Sequence, residues 1–373
     1  MRSRGIPAPR RDGEARRGRM RSIGARDARG MRAKVIGVYA LLAAGNLAAW
    51  GWALGAFKGD AVLLGTAFLA YSFGLRHAVD ADHIAAIDNV TRKLMQQGQR
   101  PVGVGFYFSL GHASVVALAA AIVAFTTGVL QNRFPALQAV GGLVGTSISV
   151  LFLFAVAGAN LLVLSAVYRS FQSVKRGGAL IEEDLETFLR QRGLLARLLR
   201  PLFRLIGKSW HMFPLGVLFG LGFDTATEIA LLAIAAEAAK IEPTWLVMVY
   251  PALFAAGMSL IDTTDGVLMT GAYGWAFVKP VRKLYYNLVI TFVSVMVAVV
   301  IGGIEALGLV AGRLGFAGPF WDGIARLNGN FGGLGYVIIA IFVASWAVSI
   351  AVYRWKGYDR LDAVSIAARP PSV

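Results

Sequence analysis

The amino-acid sequence predicts an all-α, polytopic integral membrane protein with eight transmembrane helices. Hydrophobic residues make up 57% of the 373-residue chain, and the mean hydropathy is +0.61; this composition is more apolar than that of soluble globular proteins. Apolar runs of about 20 residues, the length at which a helix spans a bilayer, recur along the chain. Lysine and arginine are abundant in alternate segments between these runs and scarce in the others.

The apolar runs divide the chain into two groups of four spans. The predicted spans are 35–57, 61–90, 102–130, 137–168, 211–238, 244–272, 284–311 and 331–353. The predicted regions are a basic cytoplasmic tail (1–34), spans one to four (35–168), a cytoplasmic connector (169–209), spans five to eight (210–353) and a cytoplasmic C-terminal tail (354–373). In the connector, acidic residues precede arginines that are interleaved with leucine and phenylalanine. This pattern favours an amphipathic helix on the anionic inner leaflet.

The distribution of positive charge predicts the orientation in the membrane. With the N-terminus inside, the cytoplasmic segments hold 31 of the 37 lysines and arginines. The opposite side holds five, which are Lys58, Arg133, Lys240, Arg313 and Arg326. This asymmetry follows the positive-inside rule and predicts a multi-pass bacterial inner-membrane protein with both termini in the cytoplasm. The net charge of +16 is therefore explained by the membrane, and nucleic acid is not an expected partner.

A cluster of ionisable residues interrupts the second apolar run, over residues 76–84 (Arg-His-Ala-Val-Asp-Ala-Asp-His-Ile). A carboxylate at the centre of a spanning helix is disfavoured by about 2.5–3.5 kcal/mol, so this cluster is expected to have a function. On a regular helix His77, Asp80 and His83 fall within an arc of about 120°. Asp82 lies off that face, so it serves a neighbouring helix, supports a ligand, or marks a point where the helix unwinds.

Three further spans carry polar groups that could complete a site. The third span contains His112, the fifth contains Asp224 and Glu228 one turn apart, and the sixth contains Asp262 and Asp265. Each acidic pair projects from one helix face. Carboxylates in four helices without matching lysines imply compensation by a cation, by protons or by water. Buried ion pairs that involve the arginine at the start of the 76–84 cluster and only fix packing are the structural alternative.

The chain has no cysteine, which excludes disulfides, thiolate metal sites and cysteine nucleophiles. Imidazole and carboxylate ligands suit nickel, cobalt, zinc, iron or manganese, and geometry selects among these ions. The expected partners are therefore a divalent transition-metal ion and the lipid bilayer. No feature of the sequence assigns a protein partner.

A faint internal repeat relates the two groups of spans at an offset of 146 residues. The matching positions are Phe73-Gly74-Leu75 with Phe219-Gly220-Leu221, Asp82 with Glu228, Phe108 with Phe254, and Gly111 with Gly257. The second and fifth spans run in opposite directions in the predicted topology. The repeat is therefore predicted to be an inverted 3+3 arrangement with two extra helices, a common plan among secondary transporters.

Taken together, the four motifs resemble the nickel/cobalt transporter family of membrane permeases. The family's forms are R-H-A-x-D-A-D-H-I, F-x-x-G-H-x-S-V-V, L-G-x-D-T-A-T-E and G-M-x-x-x-D-T-x-D, met here at 76–84, 108–116, 221–228 and 257–265. Ala113 is one departure, at a position where serine is expected. The resemblance extends over roughly residues 35–353.

The resemblance implies a permease that imports Ni²⁺ and/or Co²⁺ as its substrate, with no prosthetic group and no enzymatic activity. It implies metal recognition by the H-x4-D-H arrangement of His77, Asp82 and His83, with His112 nearby. The helix-angle argument instead favours Asp80 as the carboxylate ligand. Residues expected to line or support the translocation path are Arg76, Asp224, Thr225, Glu228, Asp262 and Asp265.

Two other functions remain open from the sequence. An exporter of the same ions would carry similar metal-binding groups, although the chain has no histidine-rich loop. An intramembrane metalloenzyme is the second alternative, but the chain contains no H-E-x-x-H pattern, which would supply two ligands and a general base. The sequence also contains no nucleotide-binding motif, so a secondary-type transporter is expected.

Overall fold

The computed structural model describes residues 11–125, 134–176, 206–222, 225–276 and 280–356, and all regular elements in these ranges are helical. The α-helices there are α1 (Arg11–Ala56), α2 (Ala61–His77), α3 (Ala81–Gln96), α4 (Val104–Phe125), α5 (Phe134–Lys175), α6 (Met212–Gly220), α7 (Ala226–Ala238), α8 (Thr244–Val247), α9 (Val249–Ala276), α10 (Pro280–Leu314), α11 (Pro319–Asn328) and α12 (Phe331–Trp355). The first helix begins at Arg11, within the predicted basic tail. Most of the predicted connector (177–205) and of the C-terminal tail (357–373) lies outside the described residues.

Six helical segments are long and apolar enough to cross a membrane. They are Gly30–Ala56, Val104–Phe125, Val140–Arg169, Thr244–Gly274, Tyr285–Leu314 and Phe331–Trp355. Helices α2 and α3 qualify together as a seventh span, bent by 51°. The all-helical membrane class is therefore confirmed. The predicted fifth span crosses residues 223–224, which lie outside the described residues, so the count of eight stays a prediction.

The second span is not a continuous helix. It ends at His77 and resumes at Ala81, and Asp80 is the extended N-cap residue of α3 (φ −63°, ψ 146°), a position that aspartate favours. The carbonyl of Val79 packs so closely against Gly335 of α12 that a Cβ there would overlap it. This contact helps to hold the unwound turn. Because the helix is interrupted here, the two histidines of the 76–84 cluster lie on different helices, and the arc calculated for one regular helix does not apply.

A second interruption lies between α6 and α7. Helix α6 ends at Gly220, and Thr225 is the extended N-cap residue of α7 (φ −91°, ψ 144°). Glu228 therefore falls in the first turn of α7, just as Asp82 falls in the first turn of α3. The helix dipole favours a carboxylate at each of these positions. Asp224, which was expected to line the path, lies outside the described residues.

Close contacts at glycines bring α4 and α6 together. Gly111 of α4 lies on the backbone carbonyl of Phe213, and Gly216 of α6 lies on the carbonyl of Phe108. A Cβ at either glycine would overlap the facing carbonyl, so the small residues permit the near approach typical of membrane helices. This packing fixes the depth of His112, which follows Gly111 on α4.

Candidate metal centre

Three of the four histidines lie together among the membrane helices. His77 ends α2, His83 lies in the first turn of α3, and His112 lies midway along α4. Their ring centroids are separated by 4.6, 4.8 and 4.9 Å. The exposed fraction of the surface is 1% for His77, 0% for His83 and 3% for His112. One nitrogen of each ring lies within 4.8 Å of the others. This spacing is close enough for the three rings to share one metal ion.

Two of these imidazoles are oriented by carboxylates. The Nδ1 atom of His77 lies 3.1 Å from Asp80 Oδ2, and Nδ1 of His83 lies 3.3 Å from both oxygens of Asp262. Where the carboxylate is ionised it accepts a hydrogen bond from Nδ1, and in a neutral imidazole Nε2 then keeps a lone pair for a metal ion. A carboxylate behind a ligating histidine is the usual arrangement in metal sites, since it fixes the ring and raises its basicity.

The start of α7 supplies further contacts to the same ring. The hydroxyl oxygens of Thr225 and Thr227 lie 3.3 and 3.2 Å from Nδ1 of His77. Thr225 also donates to Glu228 Oε2 at 2.9 Å. Thr227 was not among the residues predicted from the sequence. Its place in the D-T-A-T-E motif, between the predicted residues Thr225 and Glu228, was the available signal.

Glu228 completes a triangle of ligand atoms. Nε2 of His112 lies 3.0 Å from Nε2 of His77 and 2.8 Å from Glu228 Oε1, and the third side, between His77 Nε2 and Glu228 Oε1, is 3.8 Å. A point equidistant from the corners of this triangle lies about 1.9 Å from each, close to the metal–ligand distances of about 2.0–2.2 Å at zinc sites. A divalent ion could therefore contact all three atoms with little movement of the side chains.

The third histidine offers a fourth ligand. Among the described residues, Nε2 of His83 has no hydrogen-bond partner, although the residue is fully buried. Aromatic rings surround the centre: Phe108 packs 4.8 Å from the His83 ring and Phe254 lies 5.5 Å from the His77 ring, measured between centroids. Such a low-dielectric setting makes a polar atom without a partner unfavourable and strengthens its attraction to a cation.

The remaining predicted residues lie around the cluster. Asp80 contacts the ring nitrogen of His77 that faces away from the triangle, so it supports that ligand. Asp82 is half-buried in the first turn of α3, close enough to both neighbouring histidines for an electrostatic interaction. The side chain of Arg76 is exposed, and Asp265 is half-buried, one turn further along α9 from the carboxylate that holds His83.

A family model described as high-affinity nickel-transport protein matches residues 63–352. The chain belongs to this family. The high-affinity nickel-transport family thus covers all the residues of the centre, and the resemblance noted from the four motifs is confirmed.

Curated relatives match over most of their length. The high-affinity nickel transport protein of Cupriavidus necator is 59% identical over 88% of this chain and 94% of its own. The high-affinity nickel-transport protein NixA of Helicobacter pylori strain 26695 is 44% identical over 85% and 96%. The cobalt transport protein NhlF of Rhodococcus rhodochrous is 42% identical over 79% and 84%. No solved structure matches the chain.

Proposed function

We propose that this protein is a permease of the bacterial inner membrane that imports Ni²⁺ and Co²⁺. The observation that carries the proposal is the buried centre, where three imidazoles lie within sharing distance of one metal ion and Glu228 contacts two of them, in a member of a nickel-transport family. Nitrogen and oxygen donors without thiolate suit both ions. Relatives named for nickel and for cobalt support the same pair of substrates. The metal is the transported substrate, and the proposal requires no prosthetic group.

The charges around the centre suit a divalent ion. An oxygen of Glu228 is one corner of the triangle, while Asp80 and Asp262 contact the Nδ1 atoms of His77 and His83. A buried charge is tolerated where it is paired or binds a metal. We infer that the ion exchanges its water ligands for the three imidazoles and the carboxylate, and that the outer carboxylates balance its charge through the rings.

The proposed transport step uses the two broken helices. The histidines are almost completely buried, so the centre is closed in this conformation. The end of α2 and the starts of α3 and α7 meet at the centre, and unwound segments of this kind line binding sites in many secondary transporters. Relative movement of these helix ends would open the centre to one side and then to the other. Arg76, Asp224 and Asp265 are proposed to line or support that path.

Reciprocal contacts support an inverted repeat. Gly74 of α2, in the first half, packs on the carbonyl of Phe254 in α9 of the second half. Gly216 of α6, in the second half, packs on the carbonyl of Phe108 in α4 of the first half. The two phenylalanines are the pair related by the offset of 146 residues, whereas Gly216 lies one turn before Gly220, the counterpart of Gly74. An exchange of contacts between halves is expected for spans 1–3 and 4–6 related by an in-plane two-fold axis.

Metal accumulation in intact cells tests the proposed function. Cells expressing the wild type should accumulate trace radioactive Ni²⁺ or Co²⁺ above cells with an empty vector. The double variant His77→Ala/His83→Ala should reach the membrane but accumulate no more than the empty vector. Faster loss of preloaded metal with the wild type would indicate an exporter. Metal bound to purified protein without flux in liposomes would instead favour an intramembrane enzyme.

A further inference from the structure

A second polar cluster, outside the metal centre, lies along helix α3. Helices α3 and α9 pack in parallel, with facing residues 179 positions apart: His83 faces Asp262, and Ile87 lies against Gly266. Further along, Met95 approaches Gly274. These contacts define a packing groove between the two helices that extends from His83 toward the end of α3, which is cytoplasmic in the proposed topology.

The first part of this cluster is Asp88, a fully buried carboxylate one and a half turns beyond His83. The hydroxyl of Tyr273 on α9 donates to Asp88 Oδ1, and Ser294 on α10 donates to Oδ2 at 2.7 Å. The hydrogen bonds join three helices around one acidic group. They fix the position of the Asp88 carboxylate, which lies one turn before Arg92 on the same helix.

Arg92 is the unusual member of the cluster. Only 1% of this residue is exposed, and its Nη2 donates to Asn89 Oδ1 at 2.9 Å. The same oxygen accepts a second hydrogen bond, of 2.7 Å, from Asn160 on α5. Among the described residues, Nε and Nη1 of Arg92 have no hydrogen-bond partner. Since a guanidinium does not lose its proton in proteins, a buried positive charge with two nitrogens unbonded in the described part of the chain lies here, and an acidic partner is the carboxylate of Asp88, with which it interacts electrostatically.

Such a charge has a direct effect on a divalent cation. Nine residues of helix separate His83 from Arg92, which corresponds to about 14 Å along the axis of α3. In the proposed path, an ion that leaves the centre along α3 passes this guanidinium, and like charges repel strongly where water is excluded. Fixed arginines are known to act as barriers to cations in membrane pores.

We propose that Arg92 is the charge barrier that closes the cytoplasmic half of the metal path, and that Asn89 and Asn160 hold it in place. This inference rests on the proposed function and on its topology. Release of metal to the cytoplasm then requires movement of the guanidinium away from the groove. Without the positive charge, the closed conformation no longer retains the ion, and metal leaks through the protein in both directions.

The neighbouring residue provides a matched control. Lys93 lies at the same depth on α3, but it points in another direction and donates to the carbonyl of Ile206 at 2.8 Å. It borders an apolar cavity of about 330 Å³ that Asn89 and Asn160 also line, so the control lies close to the residues that hold Arg92 but does not remove them. Lys93→Gln therefore removes an equal charge from the same helix without opening the proposed barrier.

The test measures Ni²⁺ flux into liposomes that contain the purified full-length protein and a trapped metal indicator. Arg92→Gln should equilibrate Ni²⁺ at least about tenfold faster than the wild type, because it removes a like charge from the ion's path. Lys93→Gln, which leaves the guanidinium in place, should stay within about twofold of the wild type. Unchanged flux in Arg92→Gln, or an equal increase in Lys93→Gln, would overturn the barrier.

Two further outcomes are also decisive. If Arg92→Gln fails to reach the membrane, Asn89→Ala, which removes the hydrogen-bond acceptor of the guanidinium, should leak, and unchanged flux in this variant would refute the barrier. If the wild type neither accumulates metal in cells nor carries it in liposomes, the proposed function fails together with the barrier. Accumulation by the wild type without leak in the variants rejects the barrier alone.

Discussion

The geometry of the metal centre makes Glu228 the most informative position for substitution. Glu228→Gln keeps the size of the side chain but removes the negative charge that lies 2.8 Å from Nε2 of His112. The expected result is a large loss of Ni²⁺ affinity, because this oxygen is one corner of the ligand triangle. The nearby Asp262→Asn changes only a carboxylate that contacts a ring from behind, at 3.3 Å.

The expected loss of Ni²⁺ affinity differs between Glu228→Gln and Asp262→Asn. Loss of a partner behind a metal ligand weakens binding by about 10–100-fold, which is the effect expected for Asp262→Asn. A carboxylate that contacts the ion itself should contribute more, so Glu228→Gln should lose at least about 100-fold, or about 2.7 kcal/mol. Glu228→Gln is expected to lose more affinity than Asp262→Asn because Glu228 is a corner of the triangle, whatever the absolute dissociation constants are.

Equilibrium binding of Ni²⁺ to purified protein measures this ranking, with metal uptake in cells as a second readout. Glu237→Gln is the matched control, since it lies on the same helix α7 and its side chain is 76% exposed, paired with Lys240. It should bind Ni²⁺ as the wild type does. A smaller loss for Glu228→Gln than for Asp262→Asn would refute the assignment of this carboxylate as a ligand.

Other predictions follow from the packing and the topology. Thr227→Val removes a hydroxyl 3.2 Å from an imidazole of the centre and should weaken Ni²⁺ binding by about 10-fold or more, measured by the same binding assay. Gly105→Ala places a Cβ against a backbone carbonyl of α9 and should lower stability by about 1–3 kcal/mol, whereas Gly45→Ala, with nothing within 4 Å, should not; thermal unfolding in detergent compares them, and equal unfolding temperatures would contradict the packing. Because the chain has no cysteine, Lys58→Cys should react with an impermeant thiol reagent from outside the cell and Arg100→Cys only from the cytoplasm; the reverse pattern would overturn the topology.

Much of the fold could be predicted because lipid constrains the chain so strongly. A spanning helix must satisfy its own backbone hydrogen bonds, so apolar runs of sufficient length reveal most of the spans. His112 was expected near the second span from the family resemblance, and the short loop that joins the second and third spans accounts for the approach. The break at Ala78–Asp80 was left open as one of three alternatives, because a contact with the distant Gly335 helps to hold it.

The details of the site depended on contacts between distant segments. The choice between Asp80 and Asp82 was argued from a single helix, but the structure brings a carboxylate from another span, Glu228, to 2.8 Å from Nε2 of His112. No periodicity within one segment could have shown this. Asp88 and Arg92 were overlooked because they lie near the predicted end of the second span, where charged residues are expected to face water or lipid headgroups.

X-ray absorption spectroscopy of the Ni²⁺-bound protein tests the proposed ligand set most directly. The account predicts nitrogen and oxygen scatterers at about 2.0–2.1 Å, with no sulfur, and three imidazoles in the wild type. His112→Ala should show one imidazole fewer, and Glu228→Gln should keep all three but alter the oxygen shell. An unchanged imidazole count in His112→Ala, or a sulfur scatterer near about 2.3 Å, would contradict the proposed centre.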